Sequence, residues 1–143
     1  VAEVSEPADA ETVLIVYLRN LLEQQPGFGD VQVLGAMSAS SPGYEPPAEA
    51  VTVRLTGGAP LGPAADSAQL TLTAWAAGPE DDIRASDIIR RSVGLVRAAP
   101  RLMESCRGVQ ELSTPYLDPD PVTGRARYSA TLALALRGQI IQT

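Results

Sequence analysis

The segment ARYSATLALALR, Ala126 to Arg137, alternates from end to end. Ala126, Tyr128, Ala130, Leu132, Leu134 and Leu136 fall on one side of an extended chain, and Arg127, Ser129, Thr131, Ala133, Ala135 and Arg137 fall on the other. Successive side chains of a strand point to opposite faces, so the pattern demands a β-strand with one face in a core. The second face is small in its middle and charged only at its ends. A freely solvated face carries more charge than that, so this one suits close packing against a neighbour.

A strand so regular needs partners, and the chain supplies them. Val51, Val53 and Leu55 alternate with Thr52, Arg54 and Thr56, while Leu70, Leu72 and Ala74 alternate with Thr71, Thr73 and Trp75. Weaker strand patterns span Asp30 to Met37 and Val109 to Leu117. Two stretches change to helical spacing. Asp9 can cap a helix from Ala10 to Gln25, with Glu11 in its first turn; Leu14, Tyr17, Leu18 and Leu21 recur along it beside Val13, and Pro26-Gly27 ends it. Pro79 suits the first position of a second helix whose first turn holds Glu80, Asp81 and Asp82. Its apolar stripe is Ala85, Ile88, Ile89, Ser92, Val93 and Val96. Gly94 is expected to admit a close approach to the sheet, and Pro100 to end the helix.

The predicted order is α-β-β-β-α-β-β. That is an α+β class: a mostly antiparallel sheet with two helices packed on one face. The connection through the second helix is expected to be a crossover that makes one parallel pair. The 143 residues suit a single domain. Residues 1–8 are expected as a flexible arm, and 38–50, 57–67 and 116–125 as long loops. Loops of such length either bind something or stay disordered. Tyr44, Leu61 and Leu117 make these more apolar than a linker requires.

Composition narrows the chemistry. With no histidine, His-based acid–base catalysis and the usual zinc sites are excluded. The single cysteine, Cys106, has no partner for an internal disulfide and reads as a small buried hydrophobe. The net charge of −6 argues against tight binding of nucleic-acid backbone, and suits a surface that DNA slides past. Every positive charge is arginine, which favours planar, bidentate contacts. The acidic start VAEVSEPADAE does not read as a secretion signal, no apolar run is long enough for a membrane span, and a soluble product is expected. GGAPLG lacks the lysine of a phosphate loop. Asp118 and Asp120 in DPDPVTG lack the further oxygens of a calcium loop and read as a stiff turn, with Gly124 supplying a positive φ. No catalytic motif, cofactor or metal is expected.

Four features together carry a family likeness: the helix AETVLIVYLRNLL, the strand-to-helix run LTLTAWAAGPEDDIRASDIIRRSVGLV, the closing segment GVQELSTPYLDPDPVTGRARYSATLALALRG, and the element order. On these, over residues 10–138, the chain resembles the tail terminator proteins of long-tailed, siphovirus-type bacteriophages, of the actinobacteriophage kind. The resemblance implies a fold like that of tail tube proteins and a homo-hexameric ring. Such a ring caps the tail tube, stops its polymerisation and joins the tail to a neck or head-completion protein. It implies a virion protein at the tail–neck junction, assembled in the host cytoplasm, with DNA passing through the lumen unbound and with no enzymatic, cofactor or membrane role. On that reading Tyr44, Leu61 and Leu117 are apolar interface contacts, and Arg125 and Arg127, with Asp118 and Asp120 of the same loop, are polar ones. Another head–tail connector and a non-viral α+β binding domain are the alternatives.

Overall fold

In the computed structural model, which describes residues 3–37 and 43–142, capping opens the first helix. The Asp9 carboxylate accepts from the Thr12 amide at 3.2 Å and the Thr12 hydroxyl at 2.9 Å, and α1 (Ala10–Leu22) follows. Its buried side is an i, i+4 ladder of Ala10, Leu14, Leu18 and Leu22. Each such leucine withdrawn from water contributes about 1.5–3 kcal/mol. The helix stops three residues before Gln25, in tight turns closed by Gln24 and Gln25 amides on the Leu21 and Leu22 carbonyls. Arg19 donates to the Val33 carbonyl at 2.9 Å and ties α1 to β2 (Gln32–Leu34).

The second helix, α2 (Asp82–Arg97), starts later than Pro79. Gly78 donates its amide to the Asp81 carboxylate at 2.9 Å, so Pro79 and Glu80 lie in a turn ahead of the helix. Its buried residues are Ala85, Ile88, Ile89, Ser92, Val93 and Val96, as the spacing predicts, and Asp87 pairs with Arg90 on the outer side. Gly94 departs from expectation. It is exposed, and a Cβ there would meet nothing within 4 Å, so it does not approach the sheet. A short α3 (Ala99–Leu102) carries Pro100 in its first turn.

The remaining elements are β1 (Glu3–Glu6), β3 (Ala50–Gly62), β4 (Ala65–Trp75), β5 (Cys106–Glu111), β6 (Tyr116–Leu117), β7 (Arg127–Arg137) and β8 (Gln139–Gln142). The main sheet runs β2-β3-β4-β7-β5, with β6 also on β7. The fold is therefore α+β, with α1 and α2 packed on the Leu70–Leu72 and Leu132–Leu136 face. The core-facing side of β7 is the one its alternation specifies: Ala126, Ala130, Leu132, Leu134 and Leu136 are all buried. Tyr17 closes the helix pair, its hydroxyl donating to the Leu95 carbonyl at 2.6 Å, and burial pushes its pKa up. The same burial pushes up the Cys106 thiol, which sits in the core.

Four expectations are corrected. The crossover through α2 does not pair its flanking strands, because β7 inserts between β4 and β5; the one parallel pair is β2 with β3. Segment 57–67 is not a loop. β3 and β4 continue through it as a hairpin that turns only at Pro63-Ala64. Two β-bulges, between Leu55 and Gly57 and between Pro60 and Gly62, take up the extra residues Thr56 and Leu61. At Gly58, φ is +142° and a Cβ would lie 2.1 Å from the Ser67 carbonyl oxygen, so only glycine fits the paired strand. Residues 3–6 of the expected N-terminal arm form β1 and pair with β8 in a separate two-stranded ribbon. In 116–125, Tyr116 and Leu117 pair with Ser129 and Tyr128, and only the residues after them form a loop. Of the expected loop 38–50, residues 38–42 lie outside the described residues.

Candidate assembly surfaces

Two ends of the β4–β7 pair present distinct surfaces. At one end Trp75 stands opposite Arg127 on the face turned away from the helices. The indole N–H donates to Thr52 Oγ1 at 3.2 Å, and the Arg125 and Arg127 guanidinium carbons lie 5.4 and 4.9 Å from the ring centre. Such cation–π contacts contribute about 0.5–2 kcal/mol each, more where desolvated. Arg127 also donates through Nε to the Asp118 carbonyl at 2.7 Å and lies 3.2 Å from the Asp118 carboxylate and 3.8 Å from Asp120. Arg125 donates to the carbonyls of Ala76, Pro47 and Ala48, each at 2.9 Å. Burial pulls its pKa down. Asp120 is pulled down too, first by the hydrogen bond from the Thr123 hydroxyl at 2.5 Å and then by backbone amides and Arg127.

The seven residues picked out from the sequence divide accordingly. Asp118, Asp120, Arg125 and Arg127 form one network with Trp75; Leu117 adjoins it on β6, and Tyr44 stands exposed three residues before the Pro47 and Ala48 carbonyls that Arg125 holds. Leu61 lies at the opposite end, ten residues away along β4 from Trp75 to Ala65, or about 33 Å at the usual strand rise. The polar groups of this network are largely taken up within the chain. The Arg127 side chain is 18% exposed and that of Asp120 11%, and both arginines spend their donors inside the chain. They lock the 118–126 loop and residues 47–48 to the sheet. Tyr44, Leu61 and Leu117 remain exposed.

Between the two ends the outer face of the sheet is a lattice of hydroxyls. Thr56 and Thr71 are 3.3 Å apart, Thr71 and Thr131 3.1 Å, and Thr73 and Ser129 3.1 Å. Each hydroxyl both donates and accepts, so these groups largely satisfy one another; Ser129 also donates to the Asp118 carboxylate at 3.1 Å, and Arg54 stands on the same face opposite Thr71. At the far end the β3–β4 hairpin arm lies beside β7 to its tip, where the Gly138 amide donates to the Ala64 carbonyl at 2.8 Å. β2 covers β3 only as far as Thr52, so the outer edge of β3 beyond that point has no strand beside it among the described residues. One edge amide, that of Leu55, is met by the Glu11 carboxylate at 2.7 Å. Leu55 and Leu61 are 51% and 58% exposed, and a groove of about 450 Å³ runs between the arm and Pro7–Ala8.

A third surface lies over α2. Phe28 packs under Arg84 and Arg91, each 4.8 Å from its ring centre, in a cleft of about 720 Å³. Arg84 grips Glu49 with two bonds, at 2.5 and 3.0 Å, and the Gly27 carbonyl at 2.7 Å. No nucleophile–base pair converges there, and among the described residues no cluster of acidic or cysteine side chains has the makings of a metal site. No helix among them is long and apolar enough to cross a membrane.

Sequence reasoning missed the Trp75 clamp, the Phe28 cleft and the β1–β8 ribbon. Arg125 and Arg127 flanking a buried alanine, two apart like the residues of one strand face, were the available signal for the first. The stacked residue, Trp75, lies 50 and 52 positions upstream of the two arginines, and only the strand register reveals it. No protein-family model matches the chain, and no curated protein is significantly similar to it.

Proposed function

We propose that this chain is a structural subunit of a phage tail: a tail terminator that forms a hexameric ring on the tail tube, stops its polymerisation and joins it to a neck or head-completion protein. The observation that carries the reading is the β3–β4 arm. It is a long hairpin with an unpaired outer edge and exposed Leu55 and Leu61, built onto a sheet whose other end is fully satisfied. Unpaired strand edges are templates for adding another chain. The α+β order and the hydroxyl-lined middle of the outer sheet face support the same reading, since a net-acidic subunit lets DNA pass without holding it. The contacts lie with the exposed apolar residues Leu61, Tyr44 and Leu117, while Arg125 and Arg127 brace the loop that carries Leu117.

Purified protein, alone at high concentration or mixed with tail tube protein, is expected to give six-fold rings by electron microscopy and a hexamer by sedimentation. Loss of the gene is expected to give overlong tails or tails that fail to join heads. A chain that stays monomeric with tube protein present, or normal tails in its absence, overturns the reading.

A further inference from the structure

The cleft over the outer side of α2 has no part in the Trp75 network or in the hairpin arm. Three arginines surround it on a chain of net charge −6. Two are answered within the chain: Arg84 by Glu49, and Arg90 by Asp87. Arg91 differs. It donates to the neutral Gln25 Oε1 at 2.6 Å and lies over the Phe28 ring, and among the described residues no carboxylate pairs with it. A guanidinium carries five N–H donors in a rigid fork. Arg91 is thus held in position by two uncharged groups, with most of its donors uncommitted.

One turn further along α2, Gly94 bares the helix wall. A glycine in a helix interior is unfavourable, and nothing packs against this one from within the chain. A side chain here would project into the cleft beside Arg91. The fixed cation and the open wall together describe a seat for a carboxylate from outside.

The matching charge lies at the other end of the same helix. Glu80 and Asp82 are exposed and make no ion pair among the described residues. Asp82 is nine residues from Arg91, about 14 Å along the helix, so the two do not meet in one chain. Complementary patches that lie apart on one subunit are what a head-to-tail contact requires, because each copy then offers one patch forward and the other back.

We propose that the Phe28–Arg91–Gly94 cleft is the docking site for the acidic turn Glu80–Asp82 of a second copy of this chain, with a carboxylate seated on the Arg91 guanidinium beside the bare wall at Gly94. The inference rests on the ring reading, which calls for a head-to-tail contact, and names the surface that makes it.

Sedimentation velocity over a concentration series tests it on four full-length variants beside the parent. Arg91→Glu, and separately the pair Glu80→Arg with Asp82→Arg, are expected to weaken self-association about tenfold or more, as charge reversal at a close pair does. All three changes in one chain should restore much of the loss, because the reversed charges meet again at every contact. Gly94→Gln fills the cleft without altering charge, and should weaken association while thermal unfolding stays level or rises. If the parent assembles but Arg91→Glu or Gly94→Gln assembles as well as it does, or the folded triple variant recovers nothing, this contact is overturned and the ring reading stands. Each variant is run alone and with tail tube protein, and a parent that stays monomeric under both conditions overturns both.

Discussion

The strands β4 and β7 run side by side from Trp75 opposite Arg127 to Ala65 opposite Arg137, and their two ends could hardly differ more. At the Trp75 end every donor of consequence has found an acceptor within the chain. Two arginines, an indole, a carboxylate pair and four backbone carbonyls interlock there. At the Ala65 end the hairpin arm runs out with one edge bare and its leucines in solvent. The difference separates two kinds of charged and apolar surface. The arginines that look most like contact residues in the sequence are committed within the chain, and the plain apolar residues on the arm are left exposed.

Four experiments would break or sharpen that contrast. Trp75→Ala removes the ring that both guanidiniums cover and leaves the Thr52 hydroxyl without its donor; we expect a loss of about 3–5 kcal/mol in urea unfolding, the range for truncating a large aromatic in a packed site. A loss below about 1 kcal/mol would mean that the clamp is not what holds this end together. Arg127→Met keeps the packing but takes the cation from the Asp118 and Asp120 carboxylates, leaving them only their Ser129 and Thr123 donors, and should cost about 2 kcal/mol. Acid tests the same end more gently. Asp120 has a folded-state pKa held below its usual 3.8, so the charged form favours the fold. Its contribution is present above that usual value and drains away as pH falls through the lower folded-state pKa. Asp120→Asn should flatten the stability-versus-pH curve in that acid range and leave the slope above pH 5 alone. At the opposite end Leu61→Ser should shift stability by less than about 0.5 kcal/mol, as exposed sites do, while weakening assembly with tube protein. A large folding defect from Leu61→Ser would erase the contrast.

Much of this architecture was legible in the chain. The alternation at Ala126–Arg137 specified a core face that the structure reproduces, though Tyr128 is only half-buried and Ser129 and Ala133 of the other face are buried too, and the α2 stripe from Ala85 to Val96 is buried as its spacing requires. Illegible features share a physical cause: they depend on what lies beside an element, which local pattern does not encode. Glycines at 57, 58 and 62 interrupt a strand in the sequence, yet in the sheet they pair with Gln69, Ala68 and Ala65 beside bulges at Thr56 and Leu61 that let the ladder continue. The strand β7 enters between β4 and β5 because hydrogen-bond partners are chosen across the whole chain, and no period within β5 records that choice. Gly94 was legible as a weak point in a helix but not as part of a cleft, since its wall mates, Phe28 and Gln25, come from the turn after α1. The ribbon strand QIIQ has too few residues for its alternation to stand out from chance.

That ribbon has a practical consequence. Because Glu3 sits opposite Gln142 in the antiparallel register, the two limits of the described fold lie about 5 Å apart. A link of a few residues would join them without disturbing either strand, and new ends could then be opened at the exposed Pro63-Ala64 turn, at the tip of the hairpin arm. A rearranged chain of that kind would keep every strand pairing and free only the arm's tip. It would ask directly whether assembly depends on a closed hairpin or merely on the two strands that lead to it.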